Sequence, residues 1–533
     1  MSAATEQHRG RIGAAFTSTL TAMTAGLVLV SGPLLPQQAS AAESLPRIDT
    51  VSTGAFTQAW STPQVFGAPL GVWRPQRPRY YENAPFHPLG DIVMTATADA
   101  PKATFLVRDN PGFVDPPADF AMVWNAVGLQ STGVPPAFIW RPVPKPGFTC
   151  LGDVVTTSAS KPSADVIRCV RTEYTRPARS TKLASSYGSA MVPSDRWTDI
   201  LETTADPSDT HGLQTSGFRV YSPLGKGADP SGFRVLGKDY FSNAGIAGSW
   251  IPNTGVPKQW SDSERASVGL KVWLASAEEN FPSSVDLHLA NTHVSNGYRV
   301  TNEPLGCASC TNPAFLRGTR PDGTREGTPP MYTEVVHRTR NSSPTNITDV
   351  VYWMFYPYNN GKRVCIGVYT PFGCAGGYST FGNHVGDWEH VTVRYVDDQP
   401  YQVTLSQHEG DQTFLYGSKY LELDLFRPVV YAATGSHALY SASGNFTYKK
   451  LPNGDSLVDR TSRGTAWEWA SYPANQFIWQ SAGTYAGSWS WLNYTGRWGN
   501  PESTCVGSPV NQCVLENGPE GPNMKGEFQP AIS

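Results

Sequence analysis

Residues 384–390 read His-Val-Gly-Asp-Trp-Glu-His, four titratable side chains in seven positions of a chain that is only 16% charged. The sequence then runs into Val-Thr-Val-Arg-Tyr-Val, the alternation of a half-buried strand. On a strand successive side chains point to opposite faces, so Asp387 and Glu389 share one face with Val391, Val393 and Tyr395. Trp388, His390, Thr392 and Arg394 take the other. The two acids would then have Cα atoms about 7 Å apart, and carboxylates that close repel unless one keeps a proton or a cation sits between them. A hard divalent cation, Mg²⁺ or Ca²⁺, would relieve the repulsion with oxygen ligands. His384, in the Gly-bounded turn just before, would add a nitrogen. The metal set expected is therefore His384, Asp387 and Glu389.

The same acids admit a catalytic reading. Two carboxylates on one face are what a polysaccharide-acting hydrolase needs, one as acid and the other as base or nucleophile. Neighbours on one strand, however, do not flank a bond from two sides. A metal-assisted hydrolysis avoids that objection, with Glu389 or His408 as the base. His408, in Leu-Ser-Gln-His-Glu-Gly, and His437, in Gly-Ser-His-Ala, each follow a later strand, and both are expected to line a ligand site at this rim. Whether the chain is an enzyme is left open by these residues.

The elements that must carry them are strands. Gly (50) and Pro (44) are plentiful, aromatics reach 11%, and long amphipathic runs of helix formers are missing, which marks an all-β chain. Residues 256–533 hold strands of five to eight residues between Gly/Asn turns, the pattern of a β-sandwich. Residues 42–255 hold a repeat. Trp73-Arg-Pro and Leu89-Gly-Asp recur as Trp140-Arg-Pro and Leu151-Gly-Asp, and a weaker third copy is read at 220–241, around Leu236-Gly-Lys. Units of this kind bury their apolar faces only against one another. Three of them around one axis make a β-prism. Trp73, Trp140, Asp91 and Asp153 are read as packing and turn-closing residues, and the period-two tryptophans of residues 465–498 as cover for a sheet.

Residues 1–41, a mildly basic start, an apolar stretch and Ala39-Ser-Ala, have the pattern of a secretory signal. Nothing later is apolar enough to cross a bilayer. The eight cysteines agree with an extracellular chain and fall in four near pairs, taken as disulfides: Cys150 with Cys169, Cys307 with Cys310, Cys365 with Cys374, and Cys505 with Cys513. A net charge of −3 without a basic block excludes nucleic acid as a partner.

Three phrases, Val-Gly-Asp-Trp-Glu-His (385–390), Gly-Ser-His-Ala (435–438) and Gly-Pro-Glu-Gly-Pro (518–522), resemble the vacuolar protein sorting-associated protein 62 family over about residues 275–525. The Trp-Arg-Pro/Leu-Gly-Asp phrase resembles β-prism repeats of trafficking proteins, which implies a module binding lipid headgroups, glycans or protein. More distantly, the segment is similar to necrosis-inducing NLP-type cytolysins, whose heptapeptide holds a divalent cation and engages sugar headgroups. That resemblance matches their leading His to His384, their Asp and Glu to Asp387 and Glu389, and a later His to His408. Gly386 stands where they carry a second His, and Asn359 or Asn360 where they carry an upstream Asp. It implies a secreted, cation-dependent protein that binds a glycan or glycolipid headgroup and damages membranes. The alternatives are the hydrolase above and a non-catalytic extracellular interaction protein.

Overall fold

The computed structural model describes residues 45–525, apart from 64, 130–132, 222–231, 239–240, 244–260, 307–312, 322–328, 339–345, 409, 470–476, 481–488 and 506–510. The expected signal segment lies outside the described residues. Residues from Leu45 onward form one compact unit, and it is nearly all β.

Nine strands organise the first half of the chain: β1 (Phe56–Thr62), β2 (Leu70–Pro75), β3 (Ile92–Met94), β4 (Asp119–Asn125), β5 (Phe138–Val143), β6 (Val154–Thr156), β7 (Thr175–Ser185), β8 (Asp199–Ala205) and β9 (Phe218–Tyr221). They fall into three antiparallel triplets of one pattern, β1-β2-β3, β4-β5-β6 and β7-β8-β9, the last continued by further strands at its β7 edge. The register pairs Val72 with Val93, Ile139 with Val155 and Ile200 with Val220. All six side chains meet in a single apolar core. Where the third strand of each triplet begins, the backbones of Gly90, Gly152 and Gly217 converge. A Cβ on Gly90 would lie 2.7 Å from the Gly152 Cα, and one on Gly152 would lie 3.1 Å from Gly90 Cα and 3.6 Å from Gly217 Cα, so only glycine fits there.

The acids beside those glycines are structural. Asp91 and Asp153 are fully buried, held by Arg74 and Arg141 at 2.8 Å. Each pair is also tied to the next triplet: Arg74 donates to the Val155 carbonyl (2.6 Å) and Arg141 to the Val220 carbonyl (2.7 Å). In the third triplet the polarity is reversed. Glu202 takes the arginine's place on β8, and its cation is Lys419, which donates to Glu202 (2.9 Å) and to the Val93 carbonyl (2.9 Å). The third unit is therefore residues 175–221 and not 220–241. With its charges inverted, it has lost the phrase by which the other two are recognised.

The second half adds β10 (Lys271–Leu274), β11 (Tyr332–Arg338), β12 (Ile347–Cys365), β13 (Val368–Thr370), β14 (Gly373–Ala375), β15 (Tyr378–Val396), β16 (Gln399–Leu405), β17 (Gln412–Leu415), β18 (Arg427–Ala432) and β19 (Thr465–Glu468). The large sheet is ordered β17-β16-β15-β12-β11, and a smaller one contains β18-β10-β19. One face of β12 and β15 (Tyr352, Tyr356, Val391, Val393) shares an apolar cluster with Val272, Val430 and Trp467 of the smaller sheet, and the same cluster takes in Phe105 and Leu151. The opposite face (Trp353, Phe355, Trp388) is closed by Trp491 and Trp498. Both faces of β12 are thus dry, and that explains its unbroken apolar run Val-Val-Tyr-Trp-Met-Phe. The tail tryptophans within the description cover a sheet, as their period implies.

Among the described residues two of the four expected disulfides are seen: Cys150 is joined to Cys169, and Cys365 to Cys374. The expected bridge between Cys307 and Cys310 lies outside the described residues. The backbones of Cys505 and Cys513 stand opposite each other in a two-stranded pairing. The side chains of Cys505 and Cys513 lie outside the described residues as well. Among the described residues no helix is long and apolar enough to cross a membrane.

Candidate functional site

The alternation read from the sequence holds along β15. Val391, Val393 and Tyr395 lie in the inter-sheet core, while Trp388 lies in the tryptophan cluster and His390 packs on Trp353 with ring centroids 5.1 Å apart. Asp387 and Glu389 come at the end of the former face. The strand is kinked just before them at Gly386, whose φ is +70° and whose position would put a Cβ 2.1 Å from the Trp498 carbonyl oxygen. The register runs unchanged across Gly386, and in it Asp387 faces Tyr356 and Glu389 faces Met354 on β12.

Asp387 is buried, and its charge is already answered from within the protein. Its Oδ2 accepts from His437 Nδ1 (2.9 Å) and Asn359 Nδ2 (3.1 Å). His437 is fully buried in a left-handed turn (φ +59°), stacked on Tyr356 at 3.8 Å, with Nε2 on the Asn280 carbonyl (2.9 Å) and 3.7 Å from Glu278 Oε1. Both ring nitrogens face acceptors only, which makes the ring a doubly protonated imidazolium. Burial alone would push its pKa down, but Glu278 and Asp387 raise it to about 10. Glu278 in turn accepts from the backbone amides of Asn280 and Gly435 (2.8 Å each). Burial opposes ionisation of Asp387 and Glu278, and the imidazolium between them holds both below their ordinary values.

Glu389 has no such partner. It is half-buried and accepts one hydrogen bond, from Ser406 Oγ (2.8 Å). Burial, and then the charge of Asp387, push its pKa up to about 7. The ammonium of Lys525, which donates to the Trp388 carbonyl (2.7 Å), offsets part of that.

His408 lies in a neighbouring cluster rather than on the acid pair. Its Nε2 donates to Asp459 Oδ2 (2.8 Å), and its ring stacks on Tyr448 at 4.0 Å. Burial works against its protonation, but Asp459 raises its pKa on balance, with Glu389 contributing. Asp459 is itself fully buried and also accepts from Ser436 (2.6 Å), Tyr440 (2.8 Å) and Lys362 (3.0 Å). His384 is half-buried and turns Nδ1 back onto the Gly386 carbonyl at 2.6 Å.

The structure therefore brings together Asp387, Glu389, Asn359 and His437, sets His408 beside them, and leaves His384 with one ring nitrogen engaged by its own turn. Among the described residues no three His, Cys, Asp or Glu side chains are grouped as a metal-binding set. Glu278, Asp459, Ser406 and Lys525 were not foreseen. The first Glu of Glu278-Glu-Asn-Phe-Pro and an Asp inside a strand carry no spacing signal, because they meet the site only through the fold.

The profile of the vacuolar protein sorting-associated protein 62 family matches residues 79–225 and 332–505. A curated relative from Saccharomyces cerevisiae, described as the putative vacuolar protein sorting-associated protein TDA6, is 26% identical over 203 residues. That stretch is 33% of this chain and 41% of the relative, so the match spans well under half of that protein. Solved structures give looser likenesses. GNIP1Aa from Chromobacterium piscinae aligns at 14% identity and a TM-score of 0.28, covering 35% of this chain and 37% of that one. NLPPya in complex with mannosamine aligns at 15% and 0.19, covering 42% and 76%.

Proposed function

The chain belongs to the vacuolar protein sorting-associated protein 62 family, and from that premise we propose that it is an exported protein that binds polyhydroxylated headgroups, glycan or glycolipid, at the Glu389 rim. One observation carries the reading: Glu389 is a half-buried carboxylate whose charge is opposed by Asp387 and relieved by no basic side chain at hydrogen-bond distance among the described residues. Such a group gains from sugar hydroxyls, which donate to it, or from a cation. The ring of Tyr448 and the imidazole of His408 supply an aromatic and polar wall of the kind sugars stack against. Two disulfides support export.

A divalent cation fits this rim only as a weak guest. Asp387 Oδ2 is taken by His437 and Asn359, and His384 is not grouped with the two acids, so only Asp387 Oδ1 and Glu389 Oε1 would hold it. Two carboxylate oxygens suit an ion that keeps most of its water, the habit of Mg²⁺. When bound, it would present Lewis-acidic sites to hydroxyls. The protein's own part is to fix the two carboxylates and keep Asp387 ionised through His437.

The test is binding to a glycan panel and to glycolipid vesicles, with and without chelator, for the wild type and Glu389→Gln. Saturable binding weakened in the variant supports the reading. No binding, or binding equal in the variant, overturns it.

A second reading has its own observation. A carboxyl group with a pKa near neutrality at a solvent-reachable rim is suited to general acid-base work on a polysaccharide. Product release from the same panel, abolished in Glu389→Gln while binding persists, would replace the first reading with this one.

A further inference from the structure

Between Val364 and Gly386 the sequence has no Lys, Arg, Asp or Glu. Within this stretch β13 and β14 form a short antiparallel hairpin with Pro371 and Phe372 in its turn, and Cys374 of β14 is joined to Cys365 at the end of β12. Its apolar side chains point outward. Phe372 is 101% exposed, the most of any large apolar residue among the described ones, with Val368 at 68% and Tyr369 at 58%. A single exposed aliphatic side chain is ordinary, but a charge-free hairpin with a fully exposed aromatic tip is not.

The hairpin is held in position rather than loose. Asn453 donates to the carbonyls of Cys365 (2.7 Å) and Gly367 (2.9 Å), and Asp455 accepts from the Cys365 amide (3.2 Å) and the Tyr369 hydroxyl (3.1 Å). The disulfide removes further freedom from the loop. The surroundings of its base are basic. Arg363, stacked on Tyr378 at 4.2 Å, and Arg460 line a cleft of about 580 Å³ with Tyr369, and exposed Lys449 and Lys450 lie on the strand leading to the Asn453 turn. Asp455, the acid in that cleft, is already satisfied by the hairpin. Lys362 is paired with Asp459.

We propose that this hairpin is a membrane-docking finger: Phe372 and Val368 enter the interfacial layer of a bilayer, while Arg363, Arg460 and the two lysines rest on anionic lipid headgroups. An apolar tip with exposed cations beside its base is the arrangement that partitions to such an interface, and aromatic rings are favoured at headgroup depth. A short hairpin has open edges, which limits it to a shallow seat. The charges choose this occupant: an apolar protein surface would not call for the exposed cations Arg363, Lys449, Lys450 and Arg460 beside the hairpin. The inference stands apart from the Glu389 rim and needs no glycan.

The experiment is co-sedimentation of the full chain with vesicles free of glycolipid, phosphatidylcholine alone or mixed with phosphatidylserine. The wild type is expected to sediment with the mixed vesicles, more weakly with neutral ones, and less as salt rises. Phe372→Asp is expected to lower partitioning by about tenfold or more, Phe372→Leu to restore most of it, and Glu389→Gln to leave it unchanged. Because Phe372 touches solvent on all sides, the unfolding midpoint of each Phe372 variant should match the wild type. Three results would overturn the proposal: no sedimentation of the wild type with either vesicle, equal sedimentation of Phe372→Asp, or a wild-type dimer in solution that Phe372→Asp dissolves.

Discussion

His437 Nδ1 and Asp387 Oδ2 meet at 2.9 Å inside the protein, with the imidazole stacked on Tyr356 and its other nitrogen turned to the Asn280 carbonyl beside Glu278. The ring is the one cation within salt-bridge distance of two buried carboxylates among the described residues. Removing it strands both. His437→Asn keeps a residue that tolerates the left-handed backbone, so the substitution isolates the charge. The expected cost is about 3–5 kcal/mol, measured as a lowered urea midpoint. The pH dependence has a definite sign. The folded pKa of His437 is raised to about 10 from an ordinary 6.5, so its stabilisation is complete below pH 6.5 and is lost as pH rises through about 10. The wild type should weaken across that window and His437→Asn should not.

Glu389 gives the opposite experiment. Its folded pKa is raised to about 7 from 4.5, so the folded state binds the proton more tightly than the unfolded chain does. Ionising it therefore costs stability as pH rises from 4.5 to 7, and the cost persists above. Glu389→Gln should be more stable than the wild type at pH 8, by about 1–3 kcal/mol, and equal to it near pH 4. Thermal midpoints at the two pH values check this. Added Ca²⁺ or Mg²⁺ should raise the wild-type midpoint at pH 8 and leave Glu389→Gln unmoved if a cation relieves the pair.

How far the sequence led can be traced through these residues. The face on which each residue of β15 lies was legible, because strand alternation is local. The repulsion between Asp387 and Glu389, relieved by a cation or by a retained proton, was legible as well. That a cation would answer Asp387 alone was not. His437 was read as lining a ligand site, whereas it is the buried counter-ion, because its second partner, Glu278, arrives from a loop more than a hundred residues earlier. The triplets show the same limit. Two of them announce themselves through a Trp-Arg-Pro and Leu-Gly-Asp phrase that the Arg–Asp pairs require. The third carries Glu202 and borrows Lys419, so nothing local could mark it.

Gly386 offers a test of the backbone that sets the site. Its φ of +70° is unfavourable for any other residue, and an added Cβ would stand 2.1 Å from the Trp498 carbonyl oxygen, which cannot swing aside as a side chain would. Gly386→Ala should cost about 2–4 kcal/mol. It should also loosen Trp498 from its cluster, seen as a change in near-ultraviolet circular dichroism.

Lys419 decides whether the three triplets stand alone. It comes from the second half of the chain, is buried, and donates to Glu202 on β8 and to the Val93 carbonyl on β3, the tie that Arg74 and Arg141 make elsewhere in the ring. Lys419→Met leaves Glu202 buried without its cation, a loss expected at about 3–5 kcal/mol. Adding Glu202→Leu removes the stranded charge, so the double variant should recover much of that loss even though it carries one more substitution. Urea unfolding of the single and double variants measures the coupling. Recovery would mean that the pair acts as an inter-half clasp whose cost lies in breaking one side. A double variant no better than Lys419→Met would place the energy instead in the Val93 carbonyl bond, and the clasp would then be a backbone tie that Glu202 merely accompanies.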